Sequence, residues 1–205
     1  MSTIAVTNVK HPSAVDPAIV LDADGDVTYA GVHDFSAATV TGAPQGLVHI
    51  ATQSFSAVSS VSLNGVFTSA YENYKIIING TASTNIDFLY RLRNSGVDAS
   101  GANYSTQRLV VDNTSVSATR ATGATSGEIT SILTTQTGME VEIYSPQLSV
   151  PTRFVTQSGD SLSSNPRVNY NVSLHSLSSG YDGVTMFPST GNITGTIRVY
   201  GYANS

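Results

Sequence analysis

The chain has 205 residues, of which 11% are charged and 40% are hydrophobic, and its formal net charge is −5. The length suits one domain of ordinary size with an appendage, and the hydrophobic content, arranged in alternating runs, excludes a disordered chain. The sequence contains no cysteine, which excludes disulfides and thiolate metal sites. It has no basic patch that could neutralise phosphates, so nucleic-acid binding is disfavoured.

The acidic charge is concentrated near the N-terminus, where Lys10 is outnumbered by five aspartates within residues 1–45. The N-terminus lacks the charged and apolar regions of a signal peptide, and no apolar run is long enough to span a membrane. We therefore expect no membrane partner and synthesis in the cytoplasm. Because so few residues are charged, we also expect other subunits to cover much of the surface.

Residues 1–45 are predicted to form a separate unit, an extended arm with a hairpin and a linker. The hairpin combines residues 18–21 with residues 27–29 about the turn signal Asp24-Gly25. The unit has too few large apolar residues to build its own core. We therefore expect it to be ordered only against another surface or against copies of itself.

The central stretch, residues 71–93, contains two runs with period-two alternation, 74–79 and 86–93. Asn79-Gly80 and small polar residues separate the two runs. Alternation bounded by turn residues is typical of half-buried strands. The simplest prediction is that the two runs are neighbouring antiparallel strands, each with one face on a core.

From residue 47 onwards, short strands recur at intervals of about ten residues, separated by clusters of turn-forming residues. This spacing, without helical periodicity, predicts an all-β fold for residues 46–205, an antiparallel β-sandwich of the jelly-roll kind. The predicted strands are 47–58, 74–79, 86–93, 104–112, 128–134, 139–144, 152–157, 168–176 and 193–202.

Two segments resemble known virus proteins. Residues 4–28, I-A-V-T-N-V-K-H-P-S-A-V-D-P-A-I-V-L-D-A-D-G-D-V-T, resemble an N-terminal module of virion proteins of tailed bacteriophages, especially marine and cyanobacterial ones. Residues 50–104, with Y-E-N-Y-K-I-I-I and L-R-N-S-G-V-D-A-S-G-A-N-Y, are similar to a β-sandwich of phage fibre and head-decoration proteins. The resemblance implies a virion structural protein that docks through its N-terminal arm and displays the sandwich outward, commonly as a trimer. It supplies no catalytic motif.

Two sets of residues are predicted to make contacts. The virion-anchoring set consists of apolar side chains in the arm, which we expect to bind the major capsid protein or another virion protein: Ile4, Val6, Val9, Ile19, Val20 and Leu21. The aromatic set is predicted to face a neighbouring subunit or a receptor, because tyrosine combines an apolar body with a polar tip. It consists of Tyr71, Tyr74, Tyr104, Tyr200 and Tyr202.

Three possible sites have simpler explanations. Asp22, Asp24 and Asp26 resemble half of a calcium loop, but Gly25 stands fourth rather than sixth, so a hairpin turn is favoured. Residues 159–162 spell G-D-S-L, a serine-esterase signature, but they lie late in the chain without an orienting D-x-x-H block. Glu140 and Glu142 share one face of one strand, which does not provide the two facing carboxyls of a glycosidase.

The four histidines, His11, His33, His49 and His175, are scattered, with no spacing that would make a metal site. Coordination on a symmetry axis through His33 or His49 stays open, while titratable surface histidines are the default. We thus expect no catalytic residues, cofactor or metal.

Together with the resemblance to phage virion proteins, these observations lead us to expect a non-enzymatic, homotrimeric virion structural protein on the capsid exterior, of the decoration, cement or head-fibre type. The alternative is a tail fibre or receptor-binding protein whose distal loops recognise host surface glycans.

Overall fold

The computed structural model describes residues 8–9, 19–21, 27–29, 46–160 and 166–203. The chain divides into two compact units, Met1–Pro44 and Gln45–Ser205. In the first, β1 (Asn8–Val9), β2 (Ile19–Leu21) and β3 (Val27–Tyr29) form an antiparallel sheet in that order. The pairing of β2 with β3 confirms the strand association predicted for residues 18–21 and 27–29, over the described residues 19–21 and 27–29. Ile4, Val6 and the Asp24-Gly25 turn lie outside the described residues.

The second unit is built from strands, and no helix occurs among its described residues. Its strands are β4 (Leu47–Val58), β5 (Val61–Leu63), β6 (Asn73–Ala82), β7 (Ile86–Asn94), β8 (Val97–Asp98), β9 (Tyr104–Asp112), β10 (Ser115–Ala124), β11 (Gly127–Ile132), β12 (Thr137–Tyr144), β13 (Thr152–Asp160), β14 (Arg167–His175), β15 (Gly183–Pro188) and β16 (Ile193–Tyr202).

These strands form two antiparallel sheets. The large sheet has eight strands in the order β10-β9-β14-β13-β12-β6-β16-β4. The small sheet has the order β11-β7-β15-β5, with β8 paired to β7. β11 packs against β13, β14 and β9 of the large sheet, as expected for a sandwich-like arrangement. The all-β, antiparallel part of the prediction is confirmed.

Eight of the strands pair in a nested way. The outermost pair is β4 with β16, and inside it lie β5 with β15, β6 with β12, and β7 with β11. Successive pairs alternate between the large and the small sheet. Two inserted hairpins, β9–β10 and β13–β14, extend the large sheet beyond β12.

The predicted pairing of residues 74–79 with 86–93 is wrong. β6 pairs with β12 and β16 in the large sheet, whereas β7 pairs with β11, β15 and β8 in the small one. The short connection between β6 and β7 therefore crosses from one sheet to the other. Gly80 lies inside β6, not in a turn. A Cβ there would stand 2.9 Å from the carbonyl oxygen of Thr194, so glycine permits the close approach of β16.

The core lies between the sheets and collects the inward side chains of β6, β7 and β12. At its centre the Tyr90 ring stacks on Phe154 at 3.8 Å and meets Tyr104 edge-on at 5.7 Å. The side chains that are both large and fully buried are Tyr74, Tyr90, Tyr104, Phe67, Phe88, Phe154, Ile76, Ile78, Leu92, Ile129, Ile132 and Ile143.

Candidate functional site

The large sheet ends in two long strands that pair on one side only within the described part of the chain. β4 has 12 residues and pairs with β16, and β10 has 10 residues and pairs with β9. Arg120 is the single Lys, Arg, Asp or Glu residue in either strand. Natural sheets usually protect such edges with charges, proline, β-bulges or short strands; of these devices β4 and β10 have only Arg120 and the bulges at their register shifts. These two edges instead leave backbone N–H and C=O groups available for pairing with another chain.

On β14 the usual distribution of apolar and polar residues is reversed. The side chains of Asn169, Asn171 and Ser173 are buried on the inner face of the sheet. The alternate side chains, Val168 and Tyr170, point outward and are 57% and 40% exposed. A strand that keeps amides inside and presents valine and tyrosine to solvent is typical of a sheet whose outer face is covered by something else.

The exposed apolar side chains of β14 continue onto its neighbours. Val168 lies opposite Val111 of β9, which in turn lies opposite Val116 of β10, a side chain that is 68% exposed. Tyr170 lies opposite Leu109 in the next row. The outer face near the β10 edge is therefore a continuous apolar surface.

Below this surface a buried network of hydrogen bonds engages the inward polar side chains, although Arg108 Nε and Asn171 Oδ1 have no partner among the described residues. Arg108 donates to Glu128 at 2.8 Å, to Asn169 at 3.0 Å and to Ser131 at 2.6 Å. Burial raises the pKa of Glu128, although the charge of Arg108 opposes that shift. The network joins β9 and β14 to β11 of the small sheet, so its evident role is structural.

A second buried ion pair closes the end of the β13–β14 hairpin. The carboxylate of Asp160 accepts hydrogen bonds from Arg167 Nε at 2.9 Å, Arg167 Nη2 at 2.8 Å and Asn169 Nδ2 at 2.9 Å. The hydrogen bonds that Arg167 donates to Asp160 raise the pKa of Arg167. Asp160 is the second residue of the G-D-S-L sequence, and its carboxylate links β13 to β14 through these three hydrogen bonds.

A shallow depression, which we call the outer groove, lies on the outer face of the large sheet. Its floor is formed by Gly138 of β12 and Gly159 of β13, which are cross-strand partners. Asn79 and Val168 stand at the two ends of this row. The next row of the sheet forms one side of the groove and consists of Ile77, Glu140, Gln157 and Tyr170. The groove is open to solvent and has a volume of about 500 Å³.

Next to the outer groove, the carboxylates of β12 interact with a lysine and a tyrosine. Lys75 forms an ion pair with Glu140 and another with Glu142, whose Oε1 lies 3.4 Å from Nζ. The Glu140 hydrogen bond raises the pKa of Lys75. Tyr202 donates to Glu142 at 2.7 Å, and burial together with that carboxylate raises the pKa of Tyr202 to about 12. Both carboxylates share one face of one strand, as predicted.

The prediction that Tyr74 and Tyr104 face a subunit or a receptor is wrong, because both side chains are fully buried in the core. The hydroxyl of Tyr74 donates to the carbonyl of Thr68 at 2.7 Å, and that of Tyr104 donates to the carbonyl of Ala99 at 2.7 Å. Burial raises the pKa of each hydroxyl. Alternation placed these tyrosines on strands but could not decide which face was the inner one.

The other members of the aromatic set are partly exposed. Tyr71 packs edge-on against Tyr74 with ring centroids 6.0 Å apart. Tyr200 packs against His49 at 5.6 Å, and Tyr202 bonds Glu142. Contacts of these three residues with a subunit or a receptor stay predictions.

The anchoring set lies in the first unit. Val9, Ile19, Val20 and Leu21 are in described strands, but their side chains, like Ile4 and Val6, lie outside what the structure describes. The same holds for His11, His33 and the aspartates of the proposed calcium loop. Their contacts therefore stay predictions.

The two histidines of the second unit differ in environment. His49 is exposed and hydrogen-bonds Thr52 at 2.8 Å. His175, expected by default to be a surface residue, is instead fully buried between Tyr104 and Tyr181, and burial lowers its pKa. Among the described residues no group of three or more His, Asp or Glu side chains is placed to hold a metal ion.

The outer groove and the two free edges were not predicted from the sequence. The glycines that form the groove floor lie 21 residues apart, at 138 and 159, and only strand pairing brings them together. No helix within the described ranges is long and apolar enough to cross a membrane. Comparison of the chain with protein-family models, with curated proteins and with solved structures finds no match.

Proposed function

We propose that the chain is a non-enzymatic structural protein of a bacteriophage virion, a homotrimeric capsid decoration, cement or head-fibre protein anchored by residues 1–45. The observation that carries the proposal is the pair of long edge strands, β4 and β10, which contain a single charged residue between them. Edges of this kind are suited to pairing with other chains by strand addition. The exposed apolar rows of β9, β10 and β14 supply side-chain contacts beside one of these edges.

A jelly-roll fold is part of the proposal, and the nested pairing supports it. The first strand of the eight pairs with the last, the second with the second last, and so on inward. Alternate pairs belong to opposite sheets, which is how a long antiparallel ribbon rolls into two Greek keys. The β9–β10 and β13–β14 hairpins are then insertions that widen one sheet.

The engagement of four described carboxylates favours a structural role. Asp160 and Glu128 form buried ion pairs with Arg167 and Arg108, and Glu140 and Glu142 contact Lys75. Ion pairs that join strands of one sheet, or strands of the two facing sheets, serve the fold, because they satisfy charges that the fold has buried.

The proposed mechanism is mechanical. A protein that binds only the assembled shell stabilises that shell by mass action. Three arms joined in one trimer raise the effective concentration of each arm near its site, so weak single contacts suffice for firm attachment.

Trimer formation is tested by light scattering of the purified full chain. We expect a mass of three chains for the wild type. A lysine in the β10 edge, Thr119→Lys, should weaken the trimer, while a lysine at the exposed loop position Ser189 should not. A monomeric wild-type chain at all concentrations would refute the trimer.

Virion attachment is tested by adding labelled protein to phage particles that lack it. The intact chain should bind, and a chain that begins at residue 46 should not. Equal binding of the two proteins would exclude an anchoring role for residues 1–45. Immunogold labelling on the tail, with few copies per particle, would instead favour the tail-fibre alternative.

A further inference from the structure

We propose that the outer groove is a binding site for a neutral saccharide. The inference concerns the second unit alone and does not depend on whether the chain occupies a capsid or a tail. It rests on the shape of the groove, its hydrogen-bonding groups, its charge and its apolar walls.

The shape follows from two glycines at facing positions. Gly138 and Gly159 are cross-strand partners near the middle of the eight-stranded sheet, where residues of other types would fill the outer face with side chains. Neither backbone has a positive φ. Glycine is therefore not required there for conformational reasons, and its effect is to leave the sheet surface open. A volume of about 500 Å³ falls in the range of small-molecule sites.

The hydrogen-bonding groups suit hydroxyls. The side-chain amides of Asn79 and Gln157 are exposed, and neither is hydrogen-bonded to another described residue. Each amide offers both donors and an acceptor, while the Glu140 carboxylate accepts only. A pair of adjacent sugar hydroxyls likewise donates and accepts, so one ring can bond two of these side chains at once.

The charge of the groove favours a neutral ligand. Glu140 is the one charged residue among those that line the groove, and Lys75 beside it forms its ion pair. The groove therefore offers neither a free cation to a phosphate or a uronate nor an unpaired carboxylate to an amine.

The walls supply apolar contacts. Tyr170 and Val168 stand at one end of the two rows, and Ile77 lies at the other. The C–H face of a sugar ring packs on such side chains while its rim of hydroxyls remains free to bond. A protein segment is the less favoured occupant, because the groove is shallow and lacks an enclosed pocket for an anchor side chain.

The test is amide chemical-shift mapping on the full chain. The probes are methyl glycosides of glucose, galactose, mannose and N-acetylglucosamine, each added to about 10 mM because one sugar ring is expected to bind with a millimolar Kd. Galacturonate and galactosamine are the charged comparators. We expect at least one neutral glycoside to shift the amides of Gly138 and Gly159, and the charged sugars to do so at least tenfold more weakly.

Gly159→Val is the variant that blocks the site. A Cβ at position 159 meets nothing within 4 Å, so valine fits the strand and fills the groove. Its melting temperature should be unchanged or higher, while sugar affinity falls at least tenfold. The matched control is Gly46→Val, where an added Cβ also meets nothing within 4 Å and where binding should persist. Tyr170→Ala should weaken binding as well, since it removes an apolar wall.

Four results would overturn the proposal. One is the absence of shifts at Gly138 and Gly159 with every neutral glycoside, and another is binding that survives Gly159→Val. Equal or stronger binding of a charged sugar would be a third. The fourth is a set of groove signals that change on dilution without sugar, which would show that a second copy of the chain covers the groove.

Discussion

The Asp160–Arg167 pair allows a quantitative prediction about what holds the extension of the large sheet together. The Asp160 side chain is 0% exposed and that of Arg167 is 11% exposed. Asp160→Asn keeps the size of the side chain and one accepting oxygen but removes the negative charge. The guanidinium of Arg167 then remains mostly buried, with only the more distant carboxylate of Asp112 to compensate its charge.

Removing one partner of a buried ion pair typically costs about 3–5 kcal/mol. Because asparagine retains one acceptor, we expect the lower end, about 3 kcal/mol. For a chain of this size each kcal/mol corresponds to about 2–4 °C in Tm, so the expected decrease is about 6–12 °C.

The assay is urea unfolding of the wild type and the variant, with the free energy of unfolding obtained by linear extrapolation. Glu140→Gln is the matched control, since it makes the same carboxylate-to-amide change in an ion pair whose carboxylate is 47% exposed. Exposed pairs contribute about 0–1 kcal/mol. If Asp160→Asn costs no more than Glu140→Gln, the reasoning from burial is wrong.

Three further predictions concern the core. Burial lowers the pKa of His175, so the folded state binds fewer protons than the unfolded state and stability should fall as pH decreases below about 6.5. His175→Asn keeps an acceptor for Tyr181 and should reduce this pH dependence of stability, measured by urea unfolding between about pH 7.5 and 5.5. An unchanged dependence of stability on pH would show that His175 is not its cause. Tyr90→Phe removes the hydrogen bond that the hydroxyl donates to Ser173 at 3.0 Å and should lower the free energy of unfolding by about 1 kcal/mol in the same assay. An unchanged free energy of unfolding would mean that Ser173 is satisfied without this hydrogen bond. Gly195→Ala places a Cβ 2.3 Å from the carbonyl oxygen of Asn79 and should lower the free energy of unfolding by about 1–3 kcal/mol. Gly138→Ala is the control and should not lower it, because the nearest atom to its added Cβ lies 3.5 Å away. Equal melting temperatures of the two variants would refute the close approach of β6 and β16.

Local patterns located most of the strands. The predicted bounds of β4 (Leu47–Val58), β9 (Tyr104–Asp112) and β16 (Ile193–Tyr202) agree with the structure, and the other predicted strands overlap the observed ones. Alternation of apolar and polar residues is visible in the sequence wherever one face of a strand is buried and the other faces solvent, as on β12.

The strands that were missed lack this contrast. In β15, the consecutive residues Val184, Thr185 and Met186 are all buried, so no alternation exists. In β10 the first nine residues are all exposed, which leaves no apolar period to detect. β5 and β8 have three and two residues, too few to show a period.

The sequence by itself determined that the chain is all-β, that β2 and β3 pair as a hairpin, and where most strands lie, because these depend on neighbours within a few residues. The tertiary structure alone decided that β6 and β7 belong to different sheets, that Tyr74 and Tyr104 lie inside, and that Val168 and Tyr170 lie outside. A period of two shows that two faces differ but not which of them meets the core, since that depends on the strand brought opposite from far along the chain. The outer groove has the same origin: Gly138 and Gly159 form one floor only because β12 pairs with β13 in that register.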